Sequence, residues 1–407
     1  GNLSSAIKSY QKAVQLKPNF CDAHYNLGIT FKEQRDLISA IASLKKSLHL
    51  NPNDPEAHNI MGTALREMGN KMEAIASYKT ALKLNPNYPE AHCNLGCALY
   101  EQGDITSAIT SYNRAIQLKP NYPKAYCNLG CALHEQKEFT AAITSYNKAI
   151  QLKPNYPEAY NNLGNTYKKK GDLTAAITSY SRALKLKPNY PEVHSNLGAT
   201  LQDQGDLTAA ITAYNTAIQL NPDQPDVYSN LGKALMEQGD LNAAIISYKK
   251  SLELKPDNPD THLNYSLTML LLGDYKNGWE GYKWRTKAKG NSSKPHALPS
   301  CTQWNGEPLG HETELLLVTE QGLGDILLFM RYALVLRCQN LKVSLCAQTR
   351  LHPLIQSSGI DPSPLTPEQA NQVKKGRWTP LLSVPRLLEV SQSKPIITKA
   401  SIKSSTE

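Results

Sequence analysis

An aspartate preceded by two glycines is the first candidate for chemistry in this sequence. Gly322, Gly324 and Asp325 stand in the stretch TEQGLGDILLFMRY, where a short apolar run gives way to a helical pattern. A glycine loop of this kind can bind phosphate or carry a catalytic residue, because it lies where open α/β folds bind ligands. The alternative is that Asp325 caps the helix, which the local sequence alone favours. The loop lacks the third glycine of the dinucleotide-binding fingerprint.

Four cysteines in two copies of the segment CNLGC form a second candidate. Cys93 and Cys97 are one helical turn apart, as are Cys127 and Cys131, so four thiols could converge on one metal ion. A zinc site needs all four sulfur atoms about 2.3 Å from one point, whereas neighbouring helix axes lie about 8–10 Å apart. We therefore expect small residues lining a groove, with no metal and no cofactor. Aromatic packing explains, without a ligand role, the histidines that share one position with tyrosine: His24, His58, His92, His194 and His262.

A row of asparagines is the third candidate. The position two residues before a recurring glycine is asparagine throughout the chain, except at Ile60. Asparagine is a poor helix former, so its repetition calls for a reason beyond tolerance of a solvated helix face. Its amide carries both a donor and an acceptor and can bond to the backbone of an extended peptide whatever the peptide's side chains. The predicted peptide-binding residues are Asn26, Asn94, Asn128, Asn162, Asn196, Asn230 and Asn264.

The elements that position this row repeat every 34 residues. Glycine, alanine and proline keep that spacing, as Gly96, Ala108 and Pro120 show for residues 89–122. Apolar residues recur three and four apart in two runs separated by a Gly-Asp turn, which predicts a helical hairpin. The small residues are expected where the two helices cross, with Tyr112 filling the space between them.

This pattern closely resembles the tetratricopeptide repeat over residues 1–285. The resemblance implies a mostly α fold, a right-handed tetratricopeptide superhelix or α-solenoid, with a half repeat at 1–20, seven full repeats at 21–258 and a degenerate closing repeat at 259–285. Because residues 1–20 align with a second helix only, we expect the start to be a cut. The repeats look most like those of O-linked N-acetylglucosamine transferase, a family in which an asparagine ladder holds substrate peptides. This resemblance implies a protein or extended-peptide partner in the concave groove.

A different pattern begins after residues 286–300, whose Gly, Ser and Pro content predicts a linker. Strands are predicted at 315–319 and 342–347 and a helix at 326–338, with Gly322 and Gly324 in a tight turn between the first strand and the helix. Strand, glycine loop, helix and strand make a β-α-β unit of the Rossmann-like kind. We therefore expect a small α/β domain to follow the repeats.

The motifs WNGEPLG, LLLVTEQGLGDILLFMRY and PLLSVP resemble, in that order, bacterial tetratricopeptide proteins carrying a glycosyltransferase domain related to heptosyltransferases. The resemblance covers residues 301–390 and implies that Asp325 is the general base for an acceptor hydroxyl. Such enzymes hold the sugar nucleotide mainly in a second Rossmann-like half, for which the polar tail 391–407 is too short. We expect an incomplete Rossmann-like half that takes a nucleotide sugar only if a donor domain is supplied.

Composition and charge argue against two classes of function, nucleic-acid binding and membrane insertion. Residues 281–407 hold 16 Lys and Arg against 9 Asp and Glu, but no basic run interleaves with aromatic residues, so nucleic-acid binding is not predicted. No apolar run reaches the length of a membrane span, and the eight cysteines show no disulfide framework, which fits the reducing cytoplasm. We predict a cytoplasmic peptide-binding scaffold with an inactive glycosyltransferase-like domain. The alternative is a fragment of an active glycosyltransferase whose repeats recruit a protein or glycan acceptor.

Overall fold

The computed structural model describes residues 3–288, 294–310, 313–320, 322–391, 393 and 395. The chain forms two compact units, Gly1–Gly205 and Asp206–Glu407. The boundary between these units falls inside a repeat, in the turn between the helices Pro191–Gln204 and Leu207–Leu220, and the domain boundaries expected near residues 285 and 300 stay predictions. Most of the predicted polar tail, 391–407, lies outside the described residues, as do residues 1 and 2 of the predicted half repeat.

Helical hairpins build the first unit, as predicted. A proline in the first turn starts most of the first helices, where its missing N–H is not needed. An aspartate caps several second helices, as when Asp104 accepts the Ser107 N–H at 3.1 Å. The first helices are Cys21–Glu33, Pro55–Glu67, Pro89–Gln102, Pro123–Glu135, Pro157–Lys170 and Pro191–Gln204. The second helices are Leu3–Leu16, Leu37–Leu50, Lys71–Leu84, Ile105–Leu118, Phe139–Leu152 and Leu173–Leu186.

The recurring glycine lies where the two helices of a hairpin touch. A Cβ atom on Gly96 would lie 2.6 Å from Cε1 of Tyr112, whose side chain is only 2% exposed. Ala108 is also fully buried, which confirms the predicted crossing of small residues beside a tyrosine. The same glycine–tyrosine contact recurs in Gly62–Tyr78, Gly130–Tyr146 and Gly164–Tyr180.

A residue in the left-handed conformation joins the two helices of each hairpin. It is glycine in most repeats of the first unit, and glycine adopts this conformation without a Cβ clash. In two repeats it is Arg35, at φ 66°, or Lys137, at φ 64°. The glycines are Gly69, Gly103, Gly171 and Gly205. The two basic residues therefore hold a conformation that costs a side chain about 1–2 kcal/mol.

The second unit continues the hairpins and ends in an atypical one. Its last full-length helix, Pro259–Leu271, packs on the short helix Tyr275–Tyr282, and the 3₁₀ turn Lys283–Thr286 follows. Trp284 stacks on His262 with ring centroids 4.3 Å apart, as expected of aromatic residues that close a stack. The preceding helices are Leu207–Leu220, Pro225–Gln238 and Leu241–Leu254.

A four-stranded parallel sheet follows the closing hairpin in the second unit. Its strands are β1 (Thr302–Gln303), β2 (Glu314–Val318), β3 (Lys342–Cys346) and β4 (Arg377–Pro380), in the order β1-β4-β2-β3. In the middle strand, Leu317 is buried and lies opposite Leu345 on one side and Thr379 on the other. The predicted β-α-β unit is present, but a small parallel sheet is common to many α/β folds, so the Rossmann-like assignment stays a prediction.

Two details of this region differ from the sequence prediction. The predicted helix 326–338 begins earlier and is interrupted, since Leu323–Phe329 and Tyr332–Cys338 are separate helices. Residues 294–300 of the predicted linker are not free: the His296 N–H donates to the Thr319 carbonyl at 2.8 Å, and Ala297 is buried. Residues 289–293 of that linker lie outside the described residues. The remaining helices are His352–Ser357, Pro367–Asn371 and Val384–Leu387.

Candidate functional site

The asparagine row of the first unit joins neighbouring repeats, whose first helices touch one another. Nδ2 of Asn94 donates to Oδ1 of Asn59 at 3.0 Å, and Nδ2 of Asn196 donates to Oδ1 of Asn161 at 3.1 Å. Asn59 and Asn161 are buried, so these bonds satisfy amide oxygens that water cannot reach. The amide donors of the row therefore have a structural role that the sequence did not predict.

Two further asparagines of the row donate to thiols of the preceding repeat. Nδ2 of Asn128 lies 3.1 Å from Sγ of Cys97, and Nδ2 of Asn162 lies 3.3 Å from Sγ of Cys131. Sulfur is a weak acceptor, so these bonds are weaker than the amide–amide bonds. Among the described residues the side-chain carbonyl oxygens of Asn128 and Asn162 have no hydrogen-bond donor. All seven predicted residues are half-buried: Asn26, Asn94, Asn128, Asn162, Asn196, Asn230 and Asn264.

The paired cysteines beside this row have unequal acidities. Cys93 donates a hydrogen bond to Cys97 and lowers the pKa of the Cys97 thiol to about 6. In the next repeat Cys127 acts in the same way on Cys131, whose pKa falls to about 7. The pKa of each donor thiol is raised by its bond to the neighbouring sulfur and by burial. Nowhere in the described part of the chain do three His, Cys, Asp or Glu side chains converge as metal ligands.

A cavity opens beside Asn162. Its volume is about 180 Å³. It is polar as well as aromatic, because a carboxylate, a thiol and side-chain amides share its wall with tyrosine rings. Its wall is formed by Tyr100, Cys131, His134, Glu135, Tyr146, Asn162 and Asn165.

The recurrent histidines bond to the turn that precedes them. Nε2 of His92 lies 3.0 Å from the carbonyl oxygen of Pro86, and Nε2 of His24 lies 2.9 Å from that of Pro18. A hydrogen bond to the preceding loop accounts for these histidines better than the aromatic packing expected from the sequence. The other three make the same bond: His58, His194 and His262.

The glycine loop places Asp325 at the start of a short helix, but not as its cap. Gly322 is the N-cap residue, with φ 107° and no side-chain capping bond, and Asp325 lies exposed in the first turn. The capping alternative is therefore wrong for Asp325. Gly324 lies inside the first helical turn, and a Cβ on it would meet no atom within 4 Å of the described structure. The predicted tight turn is thus shorter than expected.

The most buried charged pair of this region has no signal in the sequence. Glu320, two residues after the end of β2, is 1% exposed, and both its carboxylate oxygens lie 2.9 Å from Nη2 of Arg285. The Leu382 N–H donates to the same carboxylate at 3.1 Å, and Nη2 of Arg285 also donates to Oγ of Ser383 at 3.0 Å. Burial raises the pKa of Glu320, against the opposing effect of Arg285. No spacing rule relates the two residues, so only the fold shows the pair.

Four family models match parts of the chain. One model, described as the TPR repeat, matches residues 1–34 and 62–103, and two models of the tetratricopeptide repeat match residues 43–76 and 22–54. The model of the cilia and flagella-associated protein 70 C-terminal domain matches residues 86–277. The sequence has no significant match among curated proteins.

Several solved structures are similar in fold to parts of the chain. The APC/C hetero-tetramer Cut9–Hcn1 has 17% identity and a TM-score of 0.52, over 66% of this chain and 52% of that one. The chain thus spans about half the length of the Cut9–Hcn1 chain, and this likeness shows the fold alone. YrrB, described as a TPR protein with an unusual peptide-binding site, has 20% identity and a TM-score of 0.39, and the match covers 45% of this chain and 95% of the YrrB chain. PilF of Pseudomonas aeruginosa has 20% identity and a TM-score of 0.48, and the match covers 53% of this chain and 97% of the PilF chain.

Proposed function

We propose that this chain, whose helical hairpins are tetratricopeptide repeats, is a scaffold that binds an extended peptide segment of a partner protein along the asparagine row. The observation that carries the proposal is the half-satisfied amide groups of Asn128 and Asn162. Their N–H groups are held between repeats, and their carbonyl oxygens have no donor in the described structure. Backbone N–H groups of an extended peptide suit such acceptors, at about 1 kcal/mol for each bond.

The binding row is proposed to extend to the equivalent asparagines of the other repeats. Each is half-buried on a first helix, as Asn128 and Asn162 are. The equivalence rests on sequence position within the repeat, and Ile60 interrupts it in one repeat. The further positions are Asn26, Asn94, Asn196, Asn230 and Asn264.

A double substitution tests whether the asparagine row binds the peptide. Peptides are first selected from a random library against the intact chain, and the affinity of one selected peptide is measured by calorimetry. The variant Asn128→Ala with Asn162→Ala should weaken binding about tenfold to thirtyfold, because it removes two bonds of about 1 kcal/mol each. Both residues bond to sulfur in the free chain, so their loss should change the melting temperature little.

The matched control removes two exposed asparagines from second helices, Asn113→Ala with Asn147→Ala. This control should bind the peptide as the unaltered chain does. Unchanged affinity in the groove variant, or failure of the library to yield any peptide, would contradict the proposed function. A large fall in the melting temperature of the groove variant would assign the asparagines to stability instead.

The α/β segment gives a second candidate function, sugar transfer from a nucleotide-sugar donor with Asp325 as the base. The observation in its favour is that the Asp325 carboxylate is exposed in the first turn of the helix that follows β2. The proposed domain at 301–390 would act on an acceptor recruited by the repeats, and we propose a cytoplasmic location for the chain. Donor turnover that Asp325→Asn abolishes would establish this function.

In the part of the chain that the structure describes, no helix combines the length and the apolar character needed to cross a membrane.

A further inference from the structure

Ion pairs join the first helices of neighbouring repeats at one recurring place. Nη1 of Arg66 lies 3.9 Å from a carboxylate oxygen of Glu101, and Nζ of Lys168 lies 3.0 Å from one of Asp203. In both pairs the acidic residue follows its cation by 35 residues, one residue more than the repeat length. The cation stands four residues after the recurring glycine, and the acid stands five residues after the next one.

Glu135 occupies the acidic position of this series without a cation opposite it. The residue 35 positions earlier is Tyr100, which carries no charge at neutral pH: burial raises its pKa to about 12. Among the described residues Glu135 forms no ion pair within 4.0 Å. Its neighbour His134 makes no ion pair with it in the described structure, and burial lowers the pKa of that imidazole by more than the Glu135 carboxylate raises it. Lys169, in the next first helix, acts on His134 but makes no ion pair with Glu135 in the described structure.

The unpaired carboxylate lies in the wall of the cavity beside Asn162. The Asn162 amide donates its N–H to Cys131 at 3.3 Å, which leaves its oxygen as an acceptor. The Tyr100 ring adds an aromatic face in the same cavity. The Cys131 thiol adds negative charge near neutral pH, since its pKa is lowered by Cys127. A carboxylate, an amide oxygen and an aromatic face together are the surroundings that a cationic side chain prefers.

We infer that the cavity at Glu135 receives a lysine or arginine side chain of the bound peptide. This inference rests on the proposed function and names the chemistry of its partner. The peptide cation takes the place that Arg66 and Lys168 take opposite their own acids. The amide oxygen of Asn162 accepts a second hydrogen bond from the same head group, and the Tyr100 ring packs against it.

Short Gly-Ser peptides that differ at one central residue test the inference. Their affinities for the intact chain are measured by fluorescence anisotropy with Arg, Lys, norleucine or Glu at that residue. The Arg and Lys peptides should bind about tenfold more tightly than the norleucine peptide, since they gain a charge-assisted bond. The Glu peptide should bind more weakly than the norleucine peptide. The difference should shrink as salt approaches about 1 M, because exposed charges are then screened.

Three variants of the protein test whether Glu135 causes the preference for a basic peptide residue. Glu135→Gln should reduce the preference for Arg over norleucine to about twofold or less, because the neutral amide keeps the shape and loses the charge. Asp203→Asn is the matched control, since its carboxylate is already paired with Lys168, and it should leave the preference unchanged. Tyr100→Arg should complete the missing ion pair and abolish the preference while the norleucine peptide still binds.

The outcomes of these binding measurements distinguish the proposed cation site at Glu135 from the proposed peptide-binding scaffold. Equal affinities for the Arg, Lys, norleucine and Glu peptides would overturn the cation site and leave the peptide scaffold standing. An Arg preference that survives both Glu135→Gln and Tyr100→Arg would also overturn it. Absence of binding by every peptide, including one selected from the library, would contradict the scaffold itself.

Discussion

Cys97 and Cys131 illustrate how much of a site depends on its immediate neighbours. Each is held by a cysteine one helical turn earlier and by an asparagine of the next repeat. Helical periodicity predicts that the paired thiols share a helix face. It does not predict which thiol of a pair donates, because that depends on how the next repeat packs against it.

The acidities of the paired thiols give a testable order of reaction. Cys97 and Cys131 should react with iodoacetamide well before Cys93 and Cys127, because the thiolate is the nucleophile. Their pKa values of about 6 and about 7 mean that the thiolate forms as pH rises through that range. The rate of Cys97 should therefore level off above about pH 7 and that of Cys131 above about pH 8, whereas an ordinary thiol, with a pKa of about 8.5, keeps accelerating to about pH 9.5. Peptide mass spectrometry at timed intervals reports each site.

Cys93→Ala provides the control for this order, since it removes the thiol that donates to Cys97. The rate profile of Cys97 should then move to higher pH while that of Cys131 stays in place. Equal labelling of all four cysteines, or a Cys97 rate that still climbs above pH 8, would contradict the assigned hydrogen bonds.

A single hairpin carries two backbone features with opposite effects on stability. In residues 123–156, Gly130 lies against the Tyr146 ring, and Lys137 holds a left-handed conformation at φ 64°. Gly130→Ala should lower the free energy of unfolding by about 1–3 kcal/mol, because a Cβ would lie 2.6 Å from a ring that is fully packed. Lys137→Gly should raise it by up to about 1 kcal/mol, because glycine removes the Cβ clash.

Chemical denaturation monitored by circular dichroism measures both changes. The comparison for the first is Ala132→Gly in the same helix, which lowers the helix propensity, removes a fully buried methyl group and should therefore also destabilise the chain. An alanine at 130 that stabilises the chain would show that propensity outweighs the contact with Tyr146. A glycine at 137 that destabilises it would show that chain entropy outweighs the relief of strain.

Sequence periodicity predicts the elements of the repeats well because each hairpin is defined by contacts within about one repeat length. Gly96, Tyr112 and the turn at Gly103 all appear where the pattern puts them. The α/β segment is predicted less well because its contacts are distant in sequence. Arg285 reaches Glu320 across 35 residues, and no local pattern marks either residue as buried.

At the scale of the whole molecule, one proposed function belongs to the repeats and the other to the α/β segment, and binding measurements can distinguish the two proposals. The intact chain should show no saturable binding of uridine, guanosine or adenosine diphosphate sugars at micromolar concentration. A short helix start can attract phosphate, but the exposed Asp325 carboxylate in its first turn opposes a diphosphate. Isothermal titration with each nucleotide sugar checks this expectation.

The Asp325→Asn variant is the matched comparison, because it removes the charge and keeps the shape. It should bind inorganic diphosphate more tightly than the unaltered chain does. Micromolar affinity of the unaltered chain for any of these sugars would contradict the prediction and favour the transferase function.

The bonding pattern of the asparagine row also bears on where a bound peptide comes to rest. From Asn94 to Asn196 each side-chain N–H is donated to the preceding repeat, either to an amide oxygen or to a thiol, and each amide oxygen stays available as an acceptor, so neighbouring repeats offer similar acceptors to a peptide. A peptide held by these groups alone has several registers of similar energy and can shift along the row by one repeat. Glu135 breaks that degeneracy, because Tyr100 leaves its carboxylate without the cation that Glu101 and Asp203 have. The position of a basic residue in the partner's sequence would then determine which peptide residue lies at which repeat.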